Sequence, residues 1–220
     1  MMAKWTESER EIKRIAGEME RVAKMAEKAE MDRVIQNKER FEKELMKAAG
    51  KRYGFYGLME WLSMTDFYRA PASAKHHGAH SCGLVEHSLN VYDRMMVRAE
   101  EEQFKGKRDS MAIVALLHDV CKIGRYTERE DGSYTYNKSV ALPVGHGERS
   151  VILIQQNGFV LTLQEITAIR WHMGAFDDAV RGGSREMSEA FRMYPIAAAL
   201  HIADMEATYF DESEDETCTN

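Results

Sequence analysis

Five separate strings put a histidine or an aspartate at helical positions whose neighbours mark them as buried. They are His87 in GLVEHSLNVY, His118-Asp119 in AIVALLHDVCK, His146 in PVGHGERSVILI, His172 in ITAIRWHMG and Asp204 in AAALHIADMEATY. An imidazole or carboxylate taken out of water is costly unless something pairs with it. Taken alone, each has a plain explanation. A lone histidine on an apolar face is more often a hydrogen-bonded core residue than a ligand. His146 can simply cap a helix start, and Asp204 can hydrogen-bond His201 one turn earlier. All five together, in this order, are better explained by one divalent cation site. The fold must then carry remote helices to one point.

The rest of the chain says which helices these are. Residues 7–49 hold no proline and a single glycine, Gly17, and Ile12, Ile15, Met19, Val22, Ala26 and Ala29 recur at alternating spacings of three and four. That is a heptad seam with charged flanks, expected as a helical arm over 1–50 that either packs on its own domain or pairs with a second copy. Gly50 marks its C-terminal stop. Tyr53–Tyr68 reads as a short aromatic helix broken before Pro71, and His76–Gly83 as a loop dense in histidine and glycine. Leu84, His87, Val91 and Met95 share one helical face, and a helix capped by Asp109 or Ser110 runs through Met111–Val120. Asp131-Gly132 between alternating Tyr and Thr positions marks a β-hairpin at about 125–137. Helices follow from His146 to Asn157, from the capping box Thr162/Glu165 to His172, and from Pro195 onward. Phe176–Glu186 reads as a loop at the mouth of the site. The class is all-α, a helical bundle with a small β-hairpin insertion and an N-terminal helical arm, with one domain over 51–211 and an acidic, frayed tail over 212–220.

Composition narrows the function classes. The formal charge of −6 disfavours a broad electrostatic grip on nucleic acid. Three cysteines with no paired spacing read as reduced thiols, and with no apolar h-region in MMAKWTESEREIKR the expected location is cytoplasmic. No apolar run approaches the roughly 20 residues of a membrane helix, so no membrane partner is expected.

His118 and Asp119 stand about 100° apart on an ideal helix, but two long side chains can still converge on one ion. Lys122 follows on the Asp119 face, where an ammonium would neutralise a phosphate oxygen beside a metal. Histidine with carboxylate suits Mn, Fe, Co, Ni or Zn without choosing between them.

With these residues in hand, the chain resembles the HD-domain metal-dependent phosphohydrolase superfamily. His87, His118-Asp119 and Asp204 match its defining ligands, and His146 and His172 match the additional histidines of its binuclear H…HD…H…H…D subset. The strings HHGAHSCGLVEHSLNVY and ALLHDVCK look like the HD domains of bacterial 3′–5′ exoribonucleases and of phage or prophage hydrolases. The resemblance covers roughly residues 67–211. It implies a bundle holding one or two divalent metals. His87, His118, Asp119 and Asp204 would surround the first ion, and Asp119 would bridge to a second held by His146 and His172. It also implies phosphoester cleavage by a metal-activated hydroxide, with Asp119 and Lys122 as the catalytic residues. His77, His80, Arg149 and Arg170 are candidates for substrate binding, each with a plain alternative as a solvated or salt-bridged side chain. The chain lacks a stretch that reads as an OB-type barrel to deliver a polymer. The expected partner is therefore a phosphorylated small molecule or nucleotide, with a short single strand of nucleic acid next. A 3′–5′ exonuclease and a non-catalytic metal- or nucleotide-binding adaptor are the alternatives, and a homodimer through the arm is the alternative to an arm packed on its own domain.

Overall fold

In the computed structural model, residues 7–76, 78–137, 139 and 142–212 are described. Nine α-helices and one two-stranded hairpin occupy them: α1 Glu7–Ala49, α2 Phe55–Met64, α3 Gly83–Arg98, α4 Arg108–Leu117, β1 Tyr126–Glu128, β2 Tyr134–Tyr136, α5 His146–Gln156, α6 Leu163–Trp171, α7 Asp178–Arg181, α8 Glu186–Met193 and α9 Pro195–Glu206. The all-α class with a small hairpin is what the periodicities predict. Contacts divide the chain into two compact units, Met1–Gln36 and Asn37–Asn220. In the first, α1 leaves Ile12, Met19, Val22 and Met25 each at least 65% exposed, and its charged face is laced by pairs such as Arg14–Glu18 at 2.6 Å.

The second unit is built around α4. Met111 through Leu117 are all buried, so this helix is apolar on every side and sits at the centre, against α3, α6 and α9. The last turns of α1 belong to this unit. They contribute Phe41 and Leu45 to the core, with the Phe41 ring 5.0 Å from Phe67. Glu44 accepts a 2.8 Å hydrogen bond from the Tyr92 hydroxyl on α3. The compact body thus begins inside the long helix, before the Gly50 stop.

The hairpin pairs Tyr126 with Tyr136 and Glu128 with Tyr134. Arg129 N–H donates to the Ser133 carbonyl and Gly132 N–H to the Arg129 carbonyl, a three-residue loop that ends on Gly132 in the left-handed region (φ +78°). The Thr162/Glu165 capping box forms as its spacing predicts. Its glutamate also does something local sequence does not show. Glu165 is fully buried and accepts from Arg52 at 2.7 Å and from Ser110 at 2.7 Å, tying the α1–α2 loop and α4 to α6. Removing the cation leaves a buried carboxylate short of its charge partner. Arg52→Ala is expected to lower unfolding free energy by about 3 kcal/mol, read from the urea midpoint.

Two stretches differ from the sequence reading. Between Phe176 and Glu186 the chain is not loop throughout, because the Asp177 side chain accepts from Ala179 N–H and starts α7. Asp211 and Glu212 are bound to the body, Asp211 to Arg94 and Glu212 to His87 and Asn90. The remainder of the expected tail, 213–220, lies outside the described residues. Among the described residues, no helix is long and apolar enough to cross a membrane.

Candidate metal centre

The end of α4 explains how neighbours in sequence can face one point. The helix stops at Leu117, earlier than the apolar run predicts. Asp119 leaves helical geometry (φ −108°, ψ 14°) before a 3₁₀ turn over Val120–Lys122. The break swings the Asp119 carboxylate to the side where His118 points. Around it, α3 supplies His87, α9 supplies Asp204, α5 opens with His146 and α6 ends on His172. Close packing of α5 on α6 is permitted by Gly147, where a Cβ would lie 2.3 Å from the Arg170 carbonyl oxygen. That approach sets the His146 and His172 rings 5.3 Å apart.

All six predicted ligands converge. The two oxygens of Asp119 face different groups. Oδ2 lies 3.6 Å from His87 Nε2, 3.6 Å from His118 Nε2 and 2.6 Å from Lys122 Nζ. Oδ1 lies 2.6 Å from His146 Nε2 and 3.6 Å from His172 Nε2. Asp204 Oδ1 is 3.2 Å from His87 Nε2. Three of the histidines are fixed from behind through Nδ1: His87 by Glu212 (2.9 Å), His118 by the Ala115 carbonyl (2.8 Å) and His172 by the Ile169 carbonyl (2.7 Å). An outer acceptor on one ring nitrogen is the usual way to orient a metal-ligating imidazole and raise its basicity.

The electrostatics suit a cation. Burial pushes Asp119 up, but Lys122 above all, then His118 and His146, hold it well below the usual carboxylate range. Asp204 is likewise held low against its burial, chiefly by His87. Burial alone would lower His87, yet Asp204 and Glu212 raise it to about 10, while burial takes His118 down to about 4. Most telling is His172. Its Nε2 is buried and has no hydrogen-bond partner among the described residues. With Nδ1–H donated to Ile169, a neutral ring would turn the Nε2 lone pair toward Asp119. Two electron-rich groups held together out of water need a positive charge between them. The donor set of imidazole nitrogens and carboxylate oxygens fits a divalent transition metal, and the described residues include the ligand-spaced groups His87/His118/Asp119, His118/His172/Asp204 and Asp119/His146/His172.

A cavity of about 190 Å³ opens over the cluster, with Lys122, Met173, Phe176, His201, Met205 and Tyr209 in its walls. His201 does not bond to Asp204; its Nδ1 hydrogen-bonds the His172 carbonyl at 2.7 Å. From sequence His201 is a candidate partner for Asp204 only, and Glu212 and Tyr209 carry no local mark of a place near the site. The signal for His201 is its spacing one turn before Asp204 on α9. Gly174 makes room for the His201 ring, since a Cβ there would lie 2.3 Å from Cε1, and its φ is +56°. Gly174→Ala is expected to cost roughly 2 kcal/mol from left-handed backbone strain and overpacking, and to lower turnover by displacing His201; thermal melts and kinetics on the same preparation read both.

The predicted substrate-binding residues fall in different places. Arg149 lines a second cleft beside the cluster. Arg170 is expected to face substrate, but its guanidinium is committed to Glu148 and to Asp177 (2.8 Å) and stacks on Trp171. His80 belongs to another group, with Nε2 3.5 Å from Glu86 Oε2 and the Cys82 thiol donating to Glu86, and does not line the cavity over the cluster. His77 lies outside the described residues. Cys121 sets its sulfur 3.3 Å from His146 Nε2.

A family model described as the HD domain matches residues 84–208, which contain every one of the predicted metal ligands. No curated protein and no solved structure matches the chain.

Proposed function

The chain belongs to the HD-domain family, and from that premise we propose that it is a divalent-metal phosphohydrolase of the binuclear kind, cleaving a phosphoester of a nucleotide or short oligonucleotide. The observation that carries this reading is the division of Asp119, one oxygen toward His87 and His118 and the other toward His146 and His172. A carboxylate so placed is suited to bridge two cations. Bound divalent ions would supply Lewis acidity, making water nucleophilic at neutral pH and taking up charge on phosphoryl oxygens.

The chain's own residues account for the rest. His87, His118, Asp119 and Asp204 would hold one ion and His146 and His172, with Asp119, the other. Lys122, its ammonium against Asp119 at the cavity wall, would steady a non-bridging phosphoryl oxygen. His201 presents Nε2 once Nδ1 is committed to the His172 carbonyl, and can accept or donate one proton there according to its charge state. Met173, Phe176 and Met205 restrict water on the apolar side.

The test is incubation of purified protein with Mn²⁺ or Co²⁺ and a panel of mononucleotides, cyclic nucleotides, 5′-phosphorylated dinucleotides and an aryl phosphodiester, beside element analysis of protein purified without added metal. Release of phosphate or nucleoside monophosphate that stops on chelation is the expected result. Stoichiometric metal with every substrate untouched would overturn the hydrolase reading.

A further inference from the structure

We propose that the substrate carries a second phosphate besides the one cleaved, and that the cleft between Arg125 and Arg149 binds it. The inference rests on the hydrolase reading for what happens at the metal centre, but the cleft is argued on its own. Its volume is about 230 Å³, and Lys122 and His146 line both it and the cavity over the metal cluster. An anion in one is therefore next to an anion in the other.

The two arginines are the exceptions among the arginines withdrawn from solvent. Arg52 is paired with Glu165, Arg94 with Asp211, Arg98 with Glu206, and Arg170 with Glu148 and Asp177. Arg125 and Arg149 have no ion pair within 4 Å among the described residues. Arg149 is only 7% exposed; one arm donates to the Leu142 carbonyl, and its Nε–H has no partner. A guanidinium so deeply placed and half satisfied is the kind of group that structures keep for an anion. Arg125 lies over the Tyr136 ring at 4.5 Å, which fixes the guanidinium plane at the cleft without neutralising it. Burial, and then the charge of Arg149, lower the Arg125 pKa, as expected of two cations facing one space. Lys122 is shared with Asp119 and the metal cavity, and among the described residues the single carboxylate in the cleft wall is Asp178. The excess is positive, the arms are planar forks, and the space is small. A phosphate fits these conditions, because it accepts bidentate bonds from two guanidinium groups.

The shared chemistry is a phosphate near the scissile one. It can come from the neighbouring link of an oligonucleotide or from a second phosphate on a single nucleotide. Three substrates separate these sources: a 5′-phosphorylated dinucleotide, a nucleoside 3′,5′-bisphosphate and the nucleoside 5′-monophosphate. For the wild-type chain, kcat/KM is expected to be higher for one of the two-phosphate substrates than for the monophosphate. Arg125→Ala should collapse that preference by about 10- to 100-fold, the scale of a charged hydrogen bond, and Arg125→Lys should restore part of it. An unchanged ratio in Arg125→Ala would overturn the cleft assignment while leaving the hydrolase reading intact. A second readout needs no turnover. Inorganic pyrophosphate titrated into the full chain, followed by calorimetry, should bind about tenfold more weakly to Arg125→Ala and to Arg149→Met, with circular dichroism confirming that both variants fold. Equal affinity in all three proteins overturns the proposal even if no hydrolysed substrate is found.

Discussion

Asp119→Asn is expected to abolish hydrolysis, with a fall of about 10³-fold or more, and to lower the number of ions retained per chain. The substitution keeps shape and one carbonyl oxygen. It removes the charge and replaces the second oxygen with an amide NH₂ that cannot accept. Whichever way the amide turns, either the His87/His118 side or the His146/His172 side loses the carboxylate oxygen that faces it. Each lost donor or ligand of this kind is worth about 10²–10³ in rate where charge develops in a dry site, and here the lost atom would also serve in holding a cation. The variant has a second consequence that must be read separately. Lys122 Nζ, 2.6 Å from Asp119 and only 13% exposed, is left as a poorly paired cation. Part of any loss in melting temperature belongs to that lysine and not to metal. Asp119→Asn combined with Lys122→Met relieves the stranded charge. The double variant is expected to recover melting temperature without recovering rate. Full turnover by Asp119→Asn would remove the carboxylate from the mechanism.

The six predicted ligands are legible because polar side chains fall where helix pattern points inward, four of them buried. His87 on the stripe of Leu84, Val91 and Met95, and Asp204 among the alanines of α9, are positions where helical periodicity demands carbon. Distance in sequence does not blur such a contradiction, so it survives without a structure. Partnerships between two polar residues on different elements leave no such mark. The Thr162/Glu165 box is legible because both members are local, while the reach of Arg52 to that same glutamate depends on how α2 and α6 dock. The direction of Asp119 was equally hidden. Helical geometry sets it about 100° from His118, and only the early end of α4 at Leu117 brings them to one side. A continuous apolar run gives no notice of that break. The Arg125 and Arg149 cleft depends on the hairpin folding back, since Tyr136 beneath Arg125 comes from the strand opposite Tyr126.

Glu212→Gln is expected to weaken metal binding by about 10- to 100-fold, although Glu212 is not placed as a ligand. The carboxylate accepts from His87 Nδ1–H at 2.9 Å, and Asn90 donates to the same oxygen at 3.0 Å. It arrives there because the chain past α9 widens into a π turn over Ala207–Asp211, which carries residue 212 back over α3. An anionic acceptor behind an imidazole increases electron density on the opposite nitrogen and locks the ring so that Nε2 points inward. Glutamine keeps the oxygen and the shape but not the charge, so ring orientation largely persists while basicity falls. The two contributions can be told apart. Glu212→Gln should lower affinity for Mn²⁺, measured by equilibrium dialysis, with kcat at saturating metal reduced only several-fold. Glu212→Ala also removes the orienting bond, and should lower both. If both variants bind Mn²⁺ as the wild type does, His87 is held without Glu212, and that carboxylate has no part in the site.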